Sequence, residues 1–285
     1  MAPDAHSPSE DIAGFASFVQ KQEALNSLFD RHWFTKARGE LKQDMRARIA
    51  FCQDVVGNLL TPKQTEALTD IKRVVSYCRR HFPKEFKAYK KKLDVNYLTQ
   101  IQSLIFELLV LARLLRFADR GSLKITSSKY KQPEGEFQIA SGNWVVEATL
   151  VGISAGHASS RRGAAPVNVQ KYARRAIRRL QGVMKRGSRG RYALIVLGGR
   201  CFCHPAIPGV RTRLKTYLQQ KSPQYVTAFV FGLSRWCPAG WVWFNPTASL
   251  SSQAKKRIRR VFQCAPTDAK PARQRRLPPN WRFGS

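Results

Sequence analysis

Acidic residues are almost missing from the second half of this 285-residue sequence. Residues 148–285 contain one, Asp268, beside 27 lysines and arginines, whereas residues 1–147 contain 17 acidic and 23 basic side chains. The formal net charge of +32 is therefore concentrated toward the C-terminus. A field of this sign favours polyanions, nucleic acid before an anionic membrane, and it argues against an ordinary metabolic enzyme with a neutral surface.

Long apolar runs are also missing. The most apolar stretch, Leu104–Leu115, is about a dozen residues long and includes Glu107, whereas a membrane span needs roughly 20 apolar residues. The first residues contain acids and prolines where a signal peptide needs a basic start and an apolar run. We therefore expect a cytoplasmic protein that does not attach to a membrane.

Cysteines are few. Six are not enough for a disulfide scaffold of this length. One group of thiols with an imidazole resembles a zinc set: Cys201, Cys203, His204 and Cys237. Its spacing is unlike that of paired zinc knuckles, so we interpret these cysteines as reduced thiols.

The hydrophobic pattern divides the chain into three parts. Residues 1–95 follow the helical period and predict an all-helical region, which includes helices over Ile12–Phe29 and Ala37–Leu60. Residues 96–264 predict the order helix, three strands, helix, strand, helix, strand, strand, helix, which is an α/β core with strand–helix–strand crossovers. Residues 265–285 form a tail rich in proline and arginine that we expect to be disordered.

Three carboxylates interrupt the acid-poor region between Arg120 and Thr267, and they are Glu134, Glu136 and Glu147. We expect Glu136 to begin one strand of a hairpin and Glu147 to lie in the other, with a turn at Ser141-Gly142-Asn143. Pairing centred on Gly142 leaves Glu136 one residue from facing Glu147, so a bulge or twist would bring both into one pocket. Close carboxylates need a shared proton or a cation, and Mg²⁺ is bound by one or two carboxylates with substrate phosphate.

Glu107 is a candidate third member of this group. It interrupts the apolar sequence LIFELLVLARLL just before the hairpin. An unpaired charge is costly in such a helix. Glu107 therefore either pairs with a core arginine such as Arg113 or faces a polar site, and both alternatives remain open.

These residues, in this order, resemble the motif of the PD-(D/E)xK nuclease superfamily. The family's first-helix glutamate matches Glu107, its acid before an apolar residue matches Glu136 before Phe137, and its strand glutamate matches Glu147 in VVEAT. Glu134, after Pro133, is the competing choice for the second acid. The resemblance covers residues 97–235. It implies a restriction-endonuclease-like mixed sheet with flanking helices, and Mg²⁺ or Mn²⁺ held by Glu107, Glu136 and Glu147.

The sequence departs from the family motif at two positions. The family's aspartate is a glutamate here, and Thr149 stands where the family has the lysine of its E-x-K motif. That lysine helps to position the attacking water and to stabilise charge at phosphorus. Lys171 or Gln170 of the following helix is the replacement that the family pattern suggests, and the spacing does not choose between them.

Basic runs recur after the hairpin with no acids to neutralise them. This arrangement favours contact with a phosphate backbone over a merely solvated surface. The candidate nucleic-acid-binding residues are Arg161, Arg162, Arg174, Arg175, Arg178 and Arg179.

These observations predict a metal-dependent DNA endonuclease that hydrolyses phosphodiester bonds, with RNA as a further candidate substrate. A restriction, defence or mobile-element nuclease fits this arrangement, and the N-terminal helical region is expected to serve recognition, partner binding or homodimerisation. One alternative is a non-catalytic nucleic-acid-binding protein that retains the nuclease-like fold. Another is a polycation that binds RNA or ribosomes.

Overall fold

The computed structural model describes residues 16–17, 19–36, 65–95, 98–126, 134–150, 169–184, 191–198, 210–221, 225–233 and 241–262. The helices are α1 (Glu23–Leu28), α2 (Thr65–His81), α3 (Pro83–Val95), α4 (Leu98–Phe117), α5 (Val169–Met184), α6 (Val210–Lys221) and α7 (Ser252–Val261). The strands are β1 (Lys124–Ile125), β2 (Gly135–Ile139), β3 (Gly142–Leu150), β4 (Arg191–Gly198), β5 (Ala228–Leu233) and β6 (Trp241–Phe244). The described helices include none with the length and apolar character that a membrane crossing requires.

The strands form one six-stranded mixed sheet in the order β1-β2-β3-β4-β5-β6. β1, β2 and β3 are antiparallel neighbours, β3, β4 and β5 are parallel, and β6 is antiparallel to β5. The parallel strands are joined by the crossovers that contain α5 and α6. The predicted α/β class and the predicted order of elements from α4 to α7 are confirmed.

Each face of the sheet packs against a different set of helices. One face contributes Val145, Ile195 and Phe229 to a core shared with α5 and α6. The opposite face contributes residues such as Val146 and Leu194 to a larger core shared with α4, α7 and the N-terminal helices. β4 lies in the middle and is buried on both faces, which explains its nearly continuous apolar sequence.

α5 is amphipathic, as its sequence predicts. One stripe is buried against β3 and β4 and consists of Val169, Ala173, Ala176, Ile177 and Leu180. The arginines lie on the other sides of the helix. α5 therefore presents a row of positive charge beside the sheet.

The described part of the N-terminal region is helical but less regular than its pattern predicts. The predicted helix over Ile12–Phe29 is interrupted at Lys21 and Gln22, where Gln22 is extended (φ −125°, ψ 97°), and α1 begins at the next residue. The predicted helix over Ala37–Leu60 and the tail 265–285 lie outside the described residues.

The hairpin turn lies nearer the N-terminus than the sequence predicts. Ile139 pairs with Gly142, so the two turn residues are Ala140 and Ser141, both with positive φ (50° and 64°). This is the backbone of a two-residue turn whose twist matches that of the strands. Gly142 is instead a strand residue, and a Cβ there would lie 2.8 Å from Cε2 of Tyr192. The glycine therefore serves a close packing contact.

Candidate active site at the start of the hairpin

The shifted turn decides which carboxylate meets Glu147. Glu136 pairs with Val145 and Gly135 with Val146, and the Glu134 amide donates to the Val146 carbonyl at 2.9 Å. Glu134, the residue before β2, is therefore held against β3 next to Glu147. Glu134 and Glu147 are both buried, with 7% and 1% of their surfaces exposed.

The carboxylate of Glu134 is held in place by the neighbouring strand. Glu134 lies immediately before β2, and its Oε2 accepts a hydrogen bond from the backbone N–H of Ala148 in β3 at 2.9 Å. Interaction with Glu134 lowers the pKa of Glu147, whereas the raised pKa of Glu134 favours the neutral form of that side chain. Neighbouring carboxyl groups avoid repulsion by sharing a proton or by binding a cation.

Glu147 has a positively charged partner, Arg179 of α5. Nη1 of Arg179 donates to Oε1 of Glu147 at 2.7 Å, and 37% of the arginine side chain is exposed. The contact is charge-assisted and joins the buried face of β3 to the basic side of α5. Arg175, one turn earlier, acts on the same carboxylate electrostatically.

Glu107 of α4 approaches the pair from the opposite face of the sheet. It is half-buried and acts electrostatically on Glu134 and Arg179. The hydroxyl of Tyr89 donates to the Leu104 carbonyl at 2.6 Å and lies 3.4 Å from Oε2 of Glu107. Glu107, Glu134 and Glu147 thus form one electrostatic group, called here the carboxylate cluster.

The surroundings of the carboxylate cluster disfavour charge. Burial raises the pKa of Glu134 well above its ordinary value, and the charges of Glu147 and Glu107 raise it further. Burial also raises the pKa of Glu147, although Arg179 partly offsets this effect. Burial lowers the pKa of Arg179, but the carboxylates outweigh it and the net pKa is raised. The cluster therefore favours a bound proton or a bound cation over free negative charge.

Glu136, the predicted second ligand, does not join this cluster. Its Oε1 accepts a hydrogen bond from Nη1 of Arg191 at 2.9 Å, and 31% of the glutamate side chain is exposed. The competing choice, Glu134, is the acid that the structure brings to Glu147. The cause is the turn at Ala140-Ser141, which shifts the strand pairing from the register expected around Gly142.

The other candidate residues have different positions. Gln170 and Lys171 are exposed in the first turn of α5, and Arg174, Arg175 and Arg178 are exposed along it. Arg179 differs from these arginines because it contacts the carboxylate cluster. Arg161, Arg162 and the zinc set Cys201, Cys203, His204 and Cys237 lie outside the described residues.

The carboxylate cluster offers a limited set of metal ligands. In the ranges that the structure describes, no three or more His, Cys, Asp or Glu side chains are grouped so that they could hold a metal ion. Mg²⁺ does not require such a cage, because it commonly uses one or two carboxylates together with waters and phosphate oxygens. Glu134 and Glu147 fit that requirement, and Glu107 lies within electrostatic reach of Glu134.

Two features of the site have no signal in the sequence. The role of Arg179 is hidden because it is one of several similar arginines in the same helix, and only its placement against β3 distinguishes it. Tyr89 belongs to α3, outside the region of family resemblance, and no local pattern links it to Glu107. The scarcity of acids does indicate the location of the cluster.

Comparisons with known proteins add no relative: no family model, no curated protein and no solved structure matches the chain. The chemistry of the site therefore rests on the residues described above.

Proposed function

We propose that this protein is a metal-dependent endonuclease that hydrolyses phosphodiester bonds in DNA. The observation that carries the proposal is the buried pair Glu134 and Glu147, which contacts the arginine-lined helix α5 through Arg179. Buried carboxylates with raised pKa values are typical of functional sites. Here they lie at the beginning of a half-chain that is otherwise almost free of acids.

The resemblance to PD-(D/E)xK nucleases supports the same proposal. In this role Glu134, rather than Glu136, is the second acid, with Glu147 as the strand glutamate and Glu107 as the helix glutamate. The mixed sheet, with α4 before it and α5 after β3, is compatible with a restriction-endonuclease-like core. A restriction, defence or mobile-element role follows from this resemblance alone.

Each part of the site has a distinct task in this proposal. Glu134 and Glu147 would hold Mg²⁺ or Mn²⁺ in their ionised forms. A bound ion supplies a Lewis acid that polarises the phosphate. The Ala148 amide keeps the Glu134 carboxylate fixed while it changes charge. The exposed arginines of α5 hold the nucleic-acid backbone through its phosphates.

The test is cleavage of supercoiled plasmid DNA by the purified full chain with Mg²⁺, Mn²⁺ or EDTA. We expect wild type to nick the plasmid only with a divalent ion. Glu134→Gln and Glu147→Gln should each reduce the rate by about 100-fold, the upper end of losses that accompany damage to a metal site. A parallel reaction with single-stranded RNA determines which nucleic acid is preferred.

The matched control is Glu136→Gln, which removes the same charge two residues from Glu134. It should cut like wild type, because Glu136 is engaged with Arg191 outside the cluster. Loss of activity in Glu136→Gln with normal activity in Glu134→Gln would contradict this assignment of ligands. A wild type that cuts neither DNA nor RNA with any divalent ion would contradict the function itself.

A second candidate function is nucleic-acid binding without catalysis. The Arg179–Glu147 ion pair favours it, because an arginine already satisfies the carboxylate that a metal would use. Thr149 in place of the motif lysine favours it too. Such a protein would retard DNA in a gel equally with Mg²⁺ and with EDTA, and its affinity would fall steeply with salt as counterions are released.

A further inference from the structure

One cation of the basic helix α5 differs from its neighbours in what it touches. Arg179 is half-buried, and its Nη1 lies 2.7 Å from Oε1 of Glu147, whose side chain is 1% exposed. Arg174, Arg175 and Arg178 of the same helix are exposed. Arg179 is therefore positioned by the protein, whereas an exposed arginine adjusts to whatever phosphate approaches.

The position of Arg179 indicates which cation could replace the missing lysine of the E-x-K motif. In E-x-K the lysine projects from the same strand as the glutamate, two residues later, and here that residue is Thr149. Gln170 and Lys171 are exposed at the start of α5. Arg179 lies about two and a half turns further along, which is roughly 12–14 Å at 1.5 Å per residue, and it is the α5 side chain that reaches Glu147.

We infer that Arg179 is the catalytic cation that contacts the scissile phosphate, and that its ion pair with Glu147 competes with a divalent ion for that carboxylate. This inference rests on the proposed function. In the absence of metal, the guanidinium neutralises Glu147. With Glu147 holding a divalent ion, the guanidinium would be available to the phosphate, which its planar donors suit.

In the chemical step Arg179 stabilises negative charge and does not itself transfer a proton. In hydrolysis the oxygen of water forms a bond to phosphorus and the ester P–O bond breaks. The water proton passes to solvent, and the leaving oxygen takes a proton from solvent. Negative charge develops on the phosphate oxygens and on the leaving oxygen, and an arginine stays protonated throughout.

This arrangement predicts two opposite effects of one substitution. Arg179→Gln removes a positive charge that competes with the metal for Glu147, so Mn²⁺ should bind about tenfold more tightly in the absence of nucleic acid. The same substitution removes a donor from the phosphate, so kcat should fall about 100-fold. A purely structural role for Arg179 would weaken both metal binding and cleavage.

The experiment measures Mn²⁺ affinity by titration calorimetry, and kcat and KM by plasmid cleavage, on the full chain. Arg179→Lys keeps the charge and should recover kcat to within about tenfold of wild type. Arg178→Gln removes an exposed charge from the same helix and should raise KM with little change in kcat. Lys215→Gln, on the exposed side of α6, is the control for general loss of charge.

The outcomes separate this inference from the proposed function. Unchanged or weaker Mn²⁺ binding by Arg179→Gln, or an unchanged kcat, would overturn the role of Arg179 while wild-type cleavage still supports the nuclease. A wild type that binds Mn²⁺ but never cuts removes the proposed function and the phosphate contact together. If Arg179→Gln does not melt cooperatively, Arg179→Lys is tested in its place. An Arg179→Lys protein that folds but has a kcat about 100-fold below that of wild type would also overturn the role of Arg179.

Discussion

Glu134 and Glu147 avoid free negative charge in two different ways. The raised pKa of Glu134 favours its protonated form, and Glu147 pairs with the guanidinium of Arg179. The proton is lost as pH rises, whereas the guanidinium is retained. The stability of the protein without metal should therefore fall as pH rises through the raised pKa of Glu134.

We expect Glu134→Gln to be more stable than wild type at pH 8 in EDTA. The folded state raises the pKa of Glu134, so its favourable contribution is complete below the unfolded value and is lost as pH rises through the folded value. Each unit of elevation corresponds to about 1.4 kcal/mol. Glutamine keeps an oxygen for the Ala148 amide and never ionises.

The measurement is urea unfolding of both proteins from pH 5 to pH 8.5. The advantage of the variant should grow with pH and be smallest at pH 5. Glu136→Gln, which removes the same charge from the ion pair with Arg191, is the matched control. A Glu134→Gln protein that is less stable than wild type at pH 8 would show that Glu134 is not held in a charge-disfavouring site.

At the scale of elements, the two-residue turn of the hairpin determines which acids meet. Ala140 and Ser141 adopt the left-handed region without the help of glycine, although this kind of turn favours asparagine and glycine there. The positive φ angles of these two residues are retained because a turn one residue later would break the pairing of Ile139 with Gly142. The hairpin is thus less stable than the same hairpin would be with asparagine or glycine at the two turn positions.

Two neighbouring substitutions should therefore act in opposite directions. Ser141→Gly relieves a positive φ at an exposed position and should stabilise the protein by about 1 kcal/mol. Gly142→Ala should destabilise it, because the new Cβ would meet the ring of Tyr192, which packs against Trp144. Thermal melting of the two variants beside wild type checks both signs, and equal shifts would contradict the observed turn.

The sequence predicts the elements of the core well because each has a clear period or a clear apolar run. The sequence pattern predicts a strand over Trp241–Phe244 and helices over Tyr97–Ala118, Val167–Arg186 and Gln253–Phe262. The observed β6, α4, α5 and α7 begin and end within about two residues of these limits. The scarcity of acids and the motif order are enough to single out Glu147 and Glu107. The expected placement of Glu136 beside Glu147 is wrong because strand pairing depends on a turn of unfavourable residues, which tertiary packing imposes.

At the scale of the whole molecule, a single apolar core crosses the predicted boundary at residues 95 and 96. Val19, Leu25 and Val74 from the N-terminal region are buried in the same cluster as residues of α4 and of the sheet. α2 packs against α4, and α4 packs against β3. The α/β core therefore shares its apolar interior with the helices before it.

We expect a fragment of residues 96–285 to lose cooperative folding, because the side of α4 that α2 covers would be exposed. The full chain should melt in one cooperative transition, and the fragment should bind a dye specific for exposed apolar surface. Circular dichroism and dye fluorescence on both proteins test this. A fragment that melts cooperatively at a similar temperature would show that the boundary separates two independent domains.

The position of α4 in the chain also affects how the protein is made. α4 ends at Phe117, but β5, the last of the parallel strands, ends at Leu233. At ordinary rates of synthesis that interval lasts on the order of ten seconds. Throughout it, the sheet face that α4 covers is incomplete on the ribosome, because β4 and β5 have not yet joined β3. The nascent chain therefore presents part of the apolar surface of α4 to chaperones and to aggregation until the sheet is complete.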